Sequence, residues 1–519
     1  MRKLFQVGLS LILVCLGAGA ASGQSFRVQC PTSTTLHPTA NATAEPPYTG
    51  PGVENGAIKC QQLSGGDGYA SMADGTQTYL FAFGPLSGLK DLATGVPGGA
   101  TQFGPVFNQP YDGDPQWDPS NPSGTHPNGA VGLVPDPDAG GAFTGHVDPR
   151  QIMDVGVMDG NMPAPLISID EDDELFLTLT NVGMIMRPDL FEQHTVHFHG
   201  YPNASSFYDG VPDASVAINI GGSFSYYYLA PDAGTYIWHC HITPPEHLQM
   251  GMVGQLFVRP RQNRVPSSMT LFAALQNSQT DPRTRSDCGN DILCTTPLPA
   301  GGDNGTPGGF VGGTATKKYA YNDGDGSTAY DVEYPIQVHG FDPNFHFVGM
   351  TFNPEGFTDM KDKYFLLNGR SYPDTVNPTA LSTPSADGVS RFSQPLSTLI
   401  NIPTGGKALV RFSSLEVTEF QTIASLGIPM HVIAQNARLL RDQAGNNLYY
   451  NTNSITVGGG ESIDVILDAS DTSKYPAGSV FYLYTPQLDH LSNDAENFGG
   501  AMTEVHIGCT VDSGTGKCI

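Results

Sequence analysis

Basic residues are scarce in this chain. Lysine and arginine together number 24 against 50 aspartates and glutamates, so the formal net charge at pH 7 is -26. Nucleic acids and anionic membrane surfaces repel a protein this acidic, and both are excluded as expected partners. The balance is common in exported soluble proteins and says little else about function.

Long hydrophobic runs are also missing. The apolar stretch Leu9–Leu16 is too short to span a bilayer comfortably, and no later segment is apolar enough to do so. Arg2 and Lys3 precede this stretch and small residues follow it, which is the pattern of a secretory signal. The sequence therefore predicts a signal peptide over residues 1–23, export to the cell exterior or the periplasm, and no membrane span.

The chain also has little helical periodicity. It contains 62 glycines and 41 prolines, and few stretches repeat apolar residues at helical spacing. Short runs of β-branched and aromatic residues, bounded by Gly, Pro, Asn and Asp, dominate instead. This pattern favours an all-β fold, and 519 residues leave room for more than one core.

The strand signals fall into two groups, which predicts two β-sandwich domains. The first domain spans residues 24–263, with Gln77–Phe83 as its first strand and a long loop-rich insertion at about 89–150. The second spans 264–519 and opens with a loop-rich stretch at about 264–328. Gly234–Trp238 and Gly478–Tyr482 are similar enough to be equivalent strands of two related domains.

Cysteine usage agrees with export. Without Cys15, which lies in the predicted signal peptide, seven cysteines remain, and six remain when Cys240 is set aside. An even number suits disulfides in an oxidising compartment. Local pairing is the simplest of the fifteen possible connectivities, and sequence cannot choose among them. It would join Cys30 to Cys60, Cys288 to Cys294 and Cys509 to Cys518.

Cys240 is set aside because histidines flank it. It lies in Trp238–His241, some forty residues after the histidine-rich segment His194–Gly200, and His247 and Met252 follow. One thiolate, two imidazoles and a weak thioether are the ligands of a type 1 copper. A closed zinc site would not use the spare histidines or the thioether. An ordinary strand with a half-buried thiol is the remaining alternative.

These segments resemble the multicopper oxidases, whose copper-bearing domain shows His-Pro-x-His-x-His-Gly and, further on, His-Cys-His-Ile. Thr195 replaces the proline, and the loop between Cys240 and His247 is two residues longer than in the family. The resemblance implies cupredoxin-like Greek-key sandwiches and type 1 ligands His194, Cys240, His247 and axial Met252, with Met250 as the competing axial residue. It also implies four ligands of a type 2/type 3 copper site: His197, His199, His239 and His241. Asp209 would be the catalytic proton donor to bound oxygen.

The second domain resembles the copper-free kind in the same family. Asn368–Arg370 is similar to the turn that opens a middle domain. A full three-copper cluster takes four His-x-His pairs from two domains, but the second domain has none. Where a copper-binding domain would show one, the equivalent strand reads Tyr482–Thr485.

Some features are instead similar to copper nitrite reductases, which are trimers with one type 2 copper between subunits. His199 and His239 hold the positions of that family's type 2 ligands. His490 of a neighbouring subunit is similar to the third ligand, and His431 to a catalytic histidine. This resemblance implies a homo-oligomer.

The resulting expectation is an exported copper-dependent oxidoreductase. A small molecule, metal ion or protein donates single electrons near an exposed His247, and these pass through His-Cys-His to a copper site that reduces dioxygen. The alternatives are a nitrite-reductase-like enzyme and a non-enzymatic electron-transfer or copper-binding protein.

Overall fold

The structure, a computed structural model, describes the strand-rich parts of the chain. The described residues are 34–35, 58–85, 135–136, 142–143, 160–171, 173–184, 186–187, 190–200, 205–230, 232–264, 318–349, 356–384, 390–442, 444–493, 496–511 and 518. The predicted signal peptide and most of the two predicted loop-rich segments lie outside these residues.

Ten described strands precede residue 264. They are β1 (Ile58–Ser71), β2 (Gln77–Pro85), β3 (Pro135–Asp136), β4 (Ala142–Phe143), β5 (Ile167–Asp170), β6 (Glu174–Gly183), β7 (His197–Phe198), β8 (Ser223–Leu229), β9 (Gly234–His239) and β10 (Val253–Arg259). Eight of them form two four-stranded sheets, in the orders β2-β1-β6-β8 and β5-β10-β9-β7, while β3 and β4 pair with each other. All ten residues of β6 are buried, as expected for a strand with a partner on each side and a sheet packed over it.

Sixteen described strands follow. They are β11 (Lys318–Tyr319), β12 (Ala329–Tyr330), β13 (Val332–Phe341), β14 (Tyr364–Leu367), β15 (Leu381–Pro384), β16 (Ser390–Gln394), β17 (Ile400–Pro403), β18 (Lys407–Ser414), β19 (Gln421–Leu426), β20 (Met430–Gln435), β21 (Arg438–Leu439), β22 (Tyr450–Thr452), β23 (Ser454–Val457), β24 (Ser462–Asp468), β25 (Val480–Tyr484) and β26 (Met502–Cys509). A seven-stranded sheet contains β14-β13-β18-β24-β20, and a five-stranded sheet has the order β17-β26-β25-β19-β23.

The two sandwiches repeat one topology. In each sandwich, one sheet contains a parallel pair of strands next to antiparallel pairs. The parallel pair is β1 with β6 in the first sandwich and β13 with β18 in the second. In the other sheet the last strand runs parallel to an early strand and antiparallel to its predecessor, as β10 does with β5 and β9, and β26 with β17 and β25. These crossovers are those of a cupredoxin-like Greek-key sandwich, so the predicted all-β fold class is confirmed. The domain boundaries stay a prediction.

One expectation about the first sandwich is wrong. Gln77–Phe83 is not the first strand, because β1 precedes it and lies between β2 and β6. Three glycines inside β1 hide it from strand patterns, and each is there for close packing. A Cβ on Gly68 would lie 2.5 Å from the carbonyl oxygen of Gly160, and one on Gly65 would lie 2.8 Å from the ring of His194.

Among the described residues, two short α-helices lie beside the sheets: α1 (Pro244–Gln249) and α2 (Pro343–Gly349). Helix α1 begins with prolines in its first turn, where a missing N–H costs no hydrogen bond. Its first turn lies in the lengthened segment between Cys240 and His247, and sequence patterns did not indicate that this segment is helical. Short 3-10 turns occur at Ser206–Tyr208, Arg261–Arg264, Phe357–Asp359 and Asp374–Val376.

The sandwiches pack on each other through β9 and β10 of the first against β18 and β24 of the second. Arg411 is completely buried there and lies 3.4 Å from Glu333 and 3.5 Å from Asp464. Thr235 of β9 donates a 2.6 Å hydrogen bond to Asp464, and Arg411 lies over the ring of Phe257. Arg259 of β10 donates a 3.0 Å hydrogen bond to Glu333, so a buried ionic network links the two sandwiches.

The cysteines agree in part with the predicted pairing. Cys509 and Cys518 form a disulfide, as the local pairing predicts. Cys60 is also disulfide-bonded, but Cys30, Cys288 and Cys294 lie outside the described residues. Cys240 is free and buried.

Candidate metal centre

The first candidate site consists of His194, Cys240 and His247, which the fold brings together from three places. His194 forms an isolated bridge with Ile218, Cys240 follows the end of β9, and His247 lies on α1. One ligand atom from each residue lies within 4.8 Å of the others. All three side chains are completely buried.

The ring atoms of this group point at the sulfur. Nδ1 of His247 lies 3.3 Å from Sγ of Cys240, and the backbone N–H of Thr195 lies 3.4 Å from the same sulfur. The rings of His194 and His247 approach edge to face at 5.5 Å. His194 is wedged against β1, where Gly65 leaves room for its ring.

The nitrogens left without partners indicate a ligand. Both ring nitrogens of His194 are buried without a hydrogen-bond partner, and Nδ1 of His247 faces the sulfur of Cys240. Buried polar atoms in native proteins are normally satisfied, and an ion is one reason for an exception. Two imidazoles and a thiolate are soft and borderline donors, so a type 1 copper fits the residues present.

Burial sets the protonation of these ligands. It lowers the pKa of His194 to about 3 and that of His247 well below its usual value, so both imidazoles are neutral and free to bind. Burial raises the pKa of the Cys240 thiol to about 11. The thiolate therefore forms only when a cation displaces the proton.

Met250 and Met252 are both completely buried in the core around this site. The backbone of Met252 is tied to the ligands themselves: its carbonyl accepts from Cys240 N–H at 3.1 Å, and its N–H donates to the His247 carbonyl at 3.0 Å. Met250 instead caps α1 by donating to Glu246. This arrangement supports Met252 as the axial residue.

The expectation that His247 is exposed is wrong, because its side chain has no accessible surface. Phe81 packs edge to face on its ring at 5.0 Å. Glu192 covers the other side, with a carboxylate oxygen 3.9 Å from Nε2 of His247. Glu192 is about one-third exposed, so it, rather than the imidazole, meets solvent.

The second candidate site consists of His197, His199 and His239, whose ligand nitrogens also lie within 4.8 Å of one another. His197 and His239 are paired residues on β7 and β9. Nδ1 of His197 lies 2.6 Å from the Asp209 carbonyl, and Nδ1 of His239 lies 2.7 Å from the Cys240 carbonyl. The ring of His199 bonds to the backbone of Gly460 in the second sandwich.

These contacts fix the tautomers. A carbonyl oxygen accepts only, so Nδ1 of His197 and Nδ1 of His239 must each carry the proton. The Nε2 atoms then present lone pairs, and those of His199 and His239 face each other at 2.9 Å. Burial and the neighbouring histidines lower the pKa of His199 to about 4 and that of His239 to about 3. Neutral imidazoles oriented by backbone acceptors are a usual arrangement for metal-binding histidines.

His241 and Asp209 lie beside this site. The ring of His241 lies 5.0 Å from that of His197 and stacks on His239 at 5.6 Å, but His241 is not one of the three histidines whose ligand atoms converge. A carboxylate oxygen of Asp209 lies 3.6 Å from Nδ1 of His197 and is partly exposed. It is therefore in reach of both solvent and the histidines.

The second sandwich carries other residues at the equivalent positions. By the shared topology, β19 and β25 correspond to β7 and β9. The backbone N–H of Thr485 donates to the carbonyl of Ala501, as the backbone N–H of Cys240 donates to the carbonyl of Met252. Ala424, Tyr484 and Thr485 then occupy the places of His197, His239 and Cys240. The predicted absence of a type 1 set there is consistent with this substitution.

The structure does not bring the second-domain histidines into either site within one chain. His431 lies on β20 and contacts Asn451 at 2.9 Å. His490 is buried, stacks on Phe365 at 3.9 Å and contacts Gln421 and Glu419. Their roles across a subunit interface stay predictions.

Three neighbours of the sites were missed from the sequence: Glu192, Gln249 and Gly460. Glu192 lies two residues before His194 and Gln249 two residues after His247, so proximity in the chain was a usable signal for both. Gly460 comes from the second sandwich, and only the packing of the two domains places it against His199.

The fold and the two groups define a two-sandwich, cupredoxin-like protein with one thiolate–imidazole and one all-imidazole group that could each hold a metal ion. Residues 144–263 match the family model described as multicopper oxidase. This part of the chain is therefore similar to the multicopper oxidases, which confirms the predicted resemblance, and the copper cofactor that the resemblance implies fits the two ligand groups.

Individual relatives match about a fifth to a quarter of this chain. It is 33% identical over 122 residues to multicopper oxidase MCE of Talaromyces pinophilus, covering 23% of this chain and 19% of that one. It is also 33% identical over 106 residues to a copper-containing nitrite reductase of Neorhizobium galegae, covering 20% and 25%. The matched segment thus spans a quarter or less of each relative's length. A solved multicopper oxidase, mgLAC, is 17% identical, with 88% of each chain covered and a TM-score of 0.47.

Among the described residues, no helix is both long and apolar enough to cross a membrane.

Proposed function

We propose that this protein is an exported copper-dependent oxidoreductase that takes single electrons from a reducing substrate and delivers them to dioxygen. The observation that carries the proposal is that two metal-binding groups share one backbone segment. Cys240 belongs to the first group, and its neighbour His239 belongs to the second. When bound, a type 1 copper supplies one-electron transfer, and copper at the histidine group supplies the site of oxygen reduction.

The residues between the groups form a short path. From Sγ of Cys240 it runs through Cβ, Cα and the carbonyl, whose oxygen accepts the 2.7 Å hydrogen bond from Nδ1 of His239. A parallel covalent path leads through the peptide bond to His241. His239 therefore receives both its tautomer and its coupling to the thiolate from the same carbonyl.

Asp209 supplies protons at the second group. Reduction of oxygen to water consumes protons, and the Asp209 carboxylate lies 3.6 Å from His197 while remaining partly open to solvent. Glu192 has a corresponding place at the first group, where it separates Nε2 of His247 from solvent. A donor that loses a proton on oxidation can pass it to this carboxylate.

One observation favours a second candidate function, nitrite reduction at a single type 2 copper. Three histidines converge at the second group, His241 lies beside them, and no second-domain histidine joins them within the described part of the chain. Three imidazoles suffice for one ion. In this alternative a second copy of the chain completes the active site with His490 and His431.

Copper content and turnover discriminate between these functions. The purified, copper-loaded protein should consume oxygen with a phenol or a metal-ion donor and hold more than two copper ions per chain. Two ions per chain with nitrite reduction and no oxygen uptake would favour the second candidate. One ion per chain with neither activity would contradict both and indicate an electron carrier.

A further inference from the structure

Gln249 ties the metal-binding helix to the second sandwich. It lies on α1 two residues after His247 and is 2% exposed. Its amide nitrogen donates a 2.5 Å hydrogen bond to Asp362, and its amide oxygen accepts from the backbone N–H of Asp342 and from Nε2 of His346, both at 3.0 Å. Every polar atom of this carboxamide is thus held by the other domain.

Asp362 is paired with a second carboxyl group. One oxygen each from Asp362 and Glu416 converges on the Cα of Gly340, where a Cβ would lie 2.0 Å from the first and 2.8 Å from the second. The Thr418 hydroxyl contacts both carboxyl groups, so the two acids share one small polar cluster. Gly340 is therefore required because the pair fills the space a side chain would need.

One hydroxyl in contact with two carboxyl groups needs a second hydrogen, since carboxylates offer acceptors only. The Thr418 hydroxyl lies 2.6 Å from Asp362 and 3.0 Å from Glu416, but its one hydrogen can serve only one of them. Glu416 also accepts from the N–H groups of Val417 and Thr418. The second contact of the Thr418 hydroxyl therefore needs a proton on one of the two acids, which is the proton that the pair shares.

The groups around the pair are largely uncharged. Gln249 faces it from α1, Gly340 from β13, and Thr418 and Gln421 from the segment that carries Glu416. Three titratable groups lie one hydrogen bond further away: His346 and Asp342 beyond Gln249, and His490 beyond Gln421. Lys361 and Lys363 flank Asp362 in the chain and are exposed. Burial and the Glu416 carboxyl raise the pKa of Asp362.

We propose that Gln249 is a positioning residue for the thiolate site, and that the proton shared by Asp362 and Glu416 couples electron uptake at that site to pH. This inference rests on the proposed function, because it requires a redox-active copper held by His194, Cys240 and His247. One electron from the reducing substrate enters the site. Where the pair has lost its proton, it takes one proton from solvent to offset that electron.

The sign of the coupling follows from charge. Above the titration of the pair, the second domain holds one more negative charge near α1, which disfavours addition of an electron. The reduction potential should therefore fall as pH rises through that titration and be flat below it. A unit charge roughly 10 Å away in a medium of intermediate dielectric constant changes the ratio of reduced to oxidised site by roughly threefold to tenfold.

The test has one arm without metal and one with it. Infrared spectra of the metal-free full chain at neutral pH should show the carbonyl band of a buried protonated carboxylic acid, absent from Asp362→Asn and Glu416→Gln. In the copper-loaded protein, the same variants should lose the pH dependence of the type 1 potential. Asp359→Asn removes an exposed acid three residues away and should match the wild type in both arms.

Each result decides. A wild type without the acid band, or an Asp362→Asn variant that keeps the wild-type pH slope, overturns the inference. If Asp362→Asn does not fold, Glu416→Gln provides the same comparison, and Gln249→Met should alter the copper hyperfine splitting by freeing α1. Failure to form a blue copper site overturns the proposed function and the coupling with it. A blue copper site whose potential has the same pH dependence in the wild type and the variants overturns only the inference.

Discussion

Nδ1 of His239 donates a 2.7 Å hydrogen bond to the carbonyl oxygen of Cys240. This contact joins the two candidate metal groups, since His239 belongs to one and Cys240 to the other. It also fixes the imidazole tautomer that leaves Nε2 free. The spacing of the ligands is therefore set by the backbone at the end of β9.

Gly460 should matter to the histidine group but not to the thiolate group. It has a φ of +95°, and a Cβ there would lie 3.4 Å from Nδ1 of His199. Gly460→Ala should lower the copper content of the histidine group and the turnover, while the blue colour stays. Gly478→Ala is the control, because its φ is +86° with open space around it. Equal copper loss in both variants would contradict a specific role of the Gly460–His199 contact.

The interdomain ion network should be worth far more than a surface pair. Arg411→Ala leaves Asp464 buried without a cation and Glu333 with Arg259 alone, which should cost about 3–5 kcal/mol in the free energy of unfolding. Lys407→Ala removes the partner of half-exposed Asp468 and should cost under about 1 kcal/mol. Denaturant unfolding of both variants measures the difference. Similar costs would show that the network does not stabilise the domain interface.

Acid should destabilise the protein through His339. Its ring is buried, neither nitrogen has a hydrogen-bond partner, and burial lowers its pKa to about 4. Between about pH 4 and 6.5 the unfolded chain binds a proton that the folded chain does not, so this contribution to stability is lost as pH falls through that window. When the pH falls from 6.5 to 5, the free energy of unfolding of His339→Gln should decrease by about 1–2 kcal/mol less than that of the wild type. Urea unfolding at the two pH values tests this, and parallel losses would exclude the assignment.

The axial residue can be identified by paired substitutions. Met252→Leu should change the reduction potential and the colour of the copper-loaded protein, because a weak axial thioether tunes a type 1 site. Met250→Leu should leave both unchanged, although Met250 is equally buried. Spectral changes in Met250→Leu alone would reverse the assignment.

The sequence predicted the fold class and named the six residues whose ligand atoms converge, together with His241, which lies beside them. It could do so because strand patterns and histidine spacings are local. It missed β1, whose glycines are explained by contacts with Gly160 and His194 rather than by strand propensity. It also placed His247 at the surface, since nothing local reveals that Phe81 and Glu192 cover it. The links from Gln249 to Asp362 and from His199 to Gly460 depend on the packing of two domains, which no motif records.

The most direct measurement is paramagnetic resonance and visible absorption of the copper-loaded protein beside its Cys240→Ser variant. The wild type should be intensely blue with the narrow hyperfine splitting of a type 1 copper. The variant should be folded and should show neither property. A variant that keeps the blue colour, or a wild type that binds copper without it, would contradict a copper held by Cys240, His194 and His247.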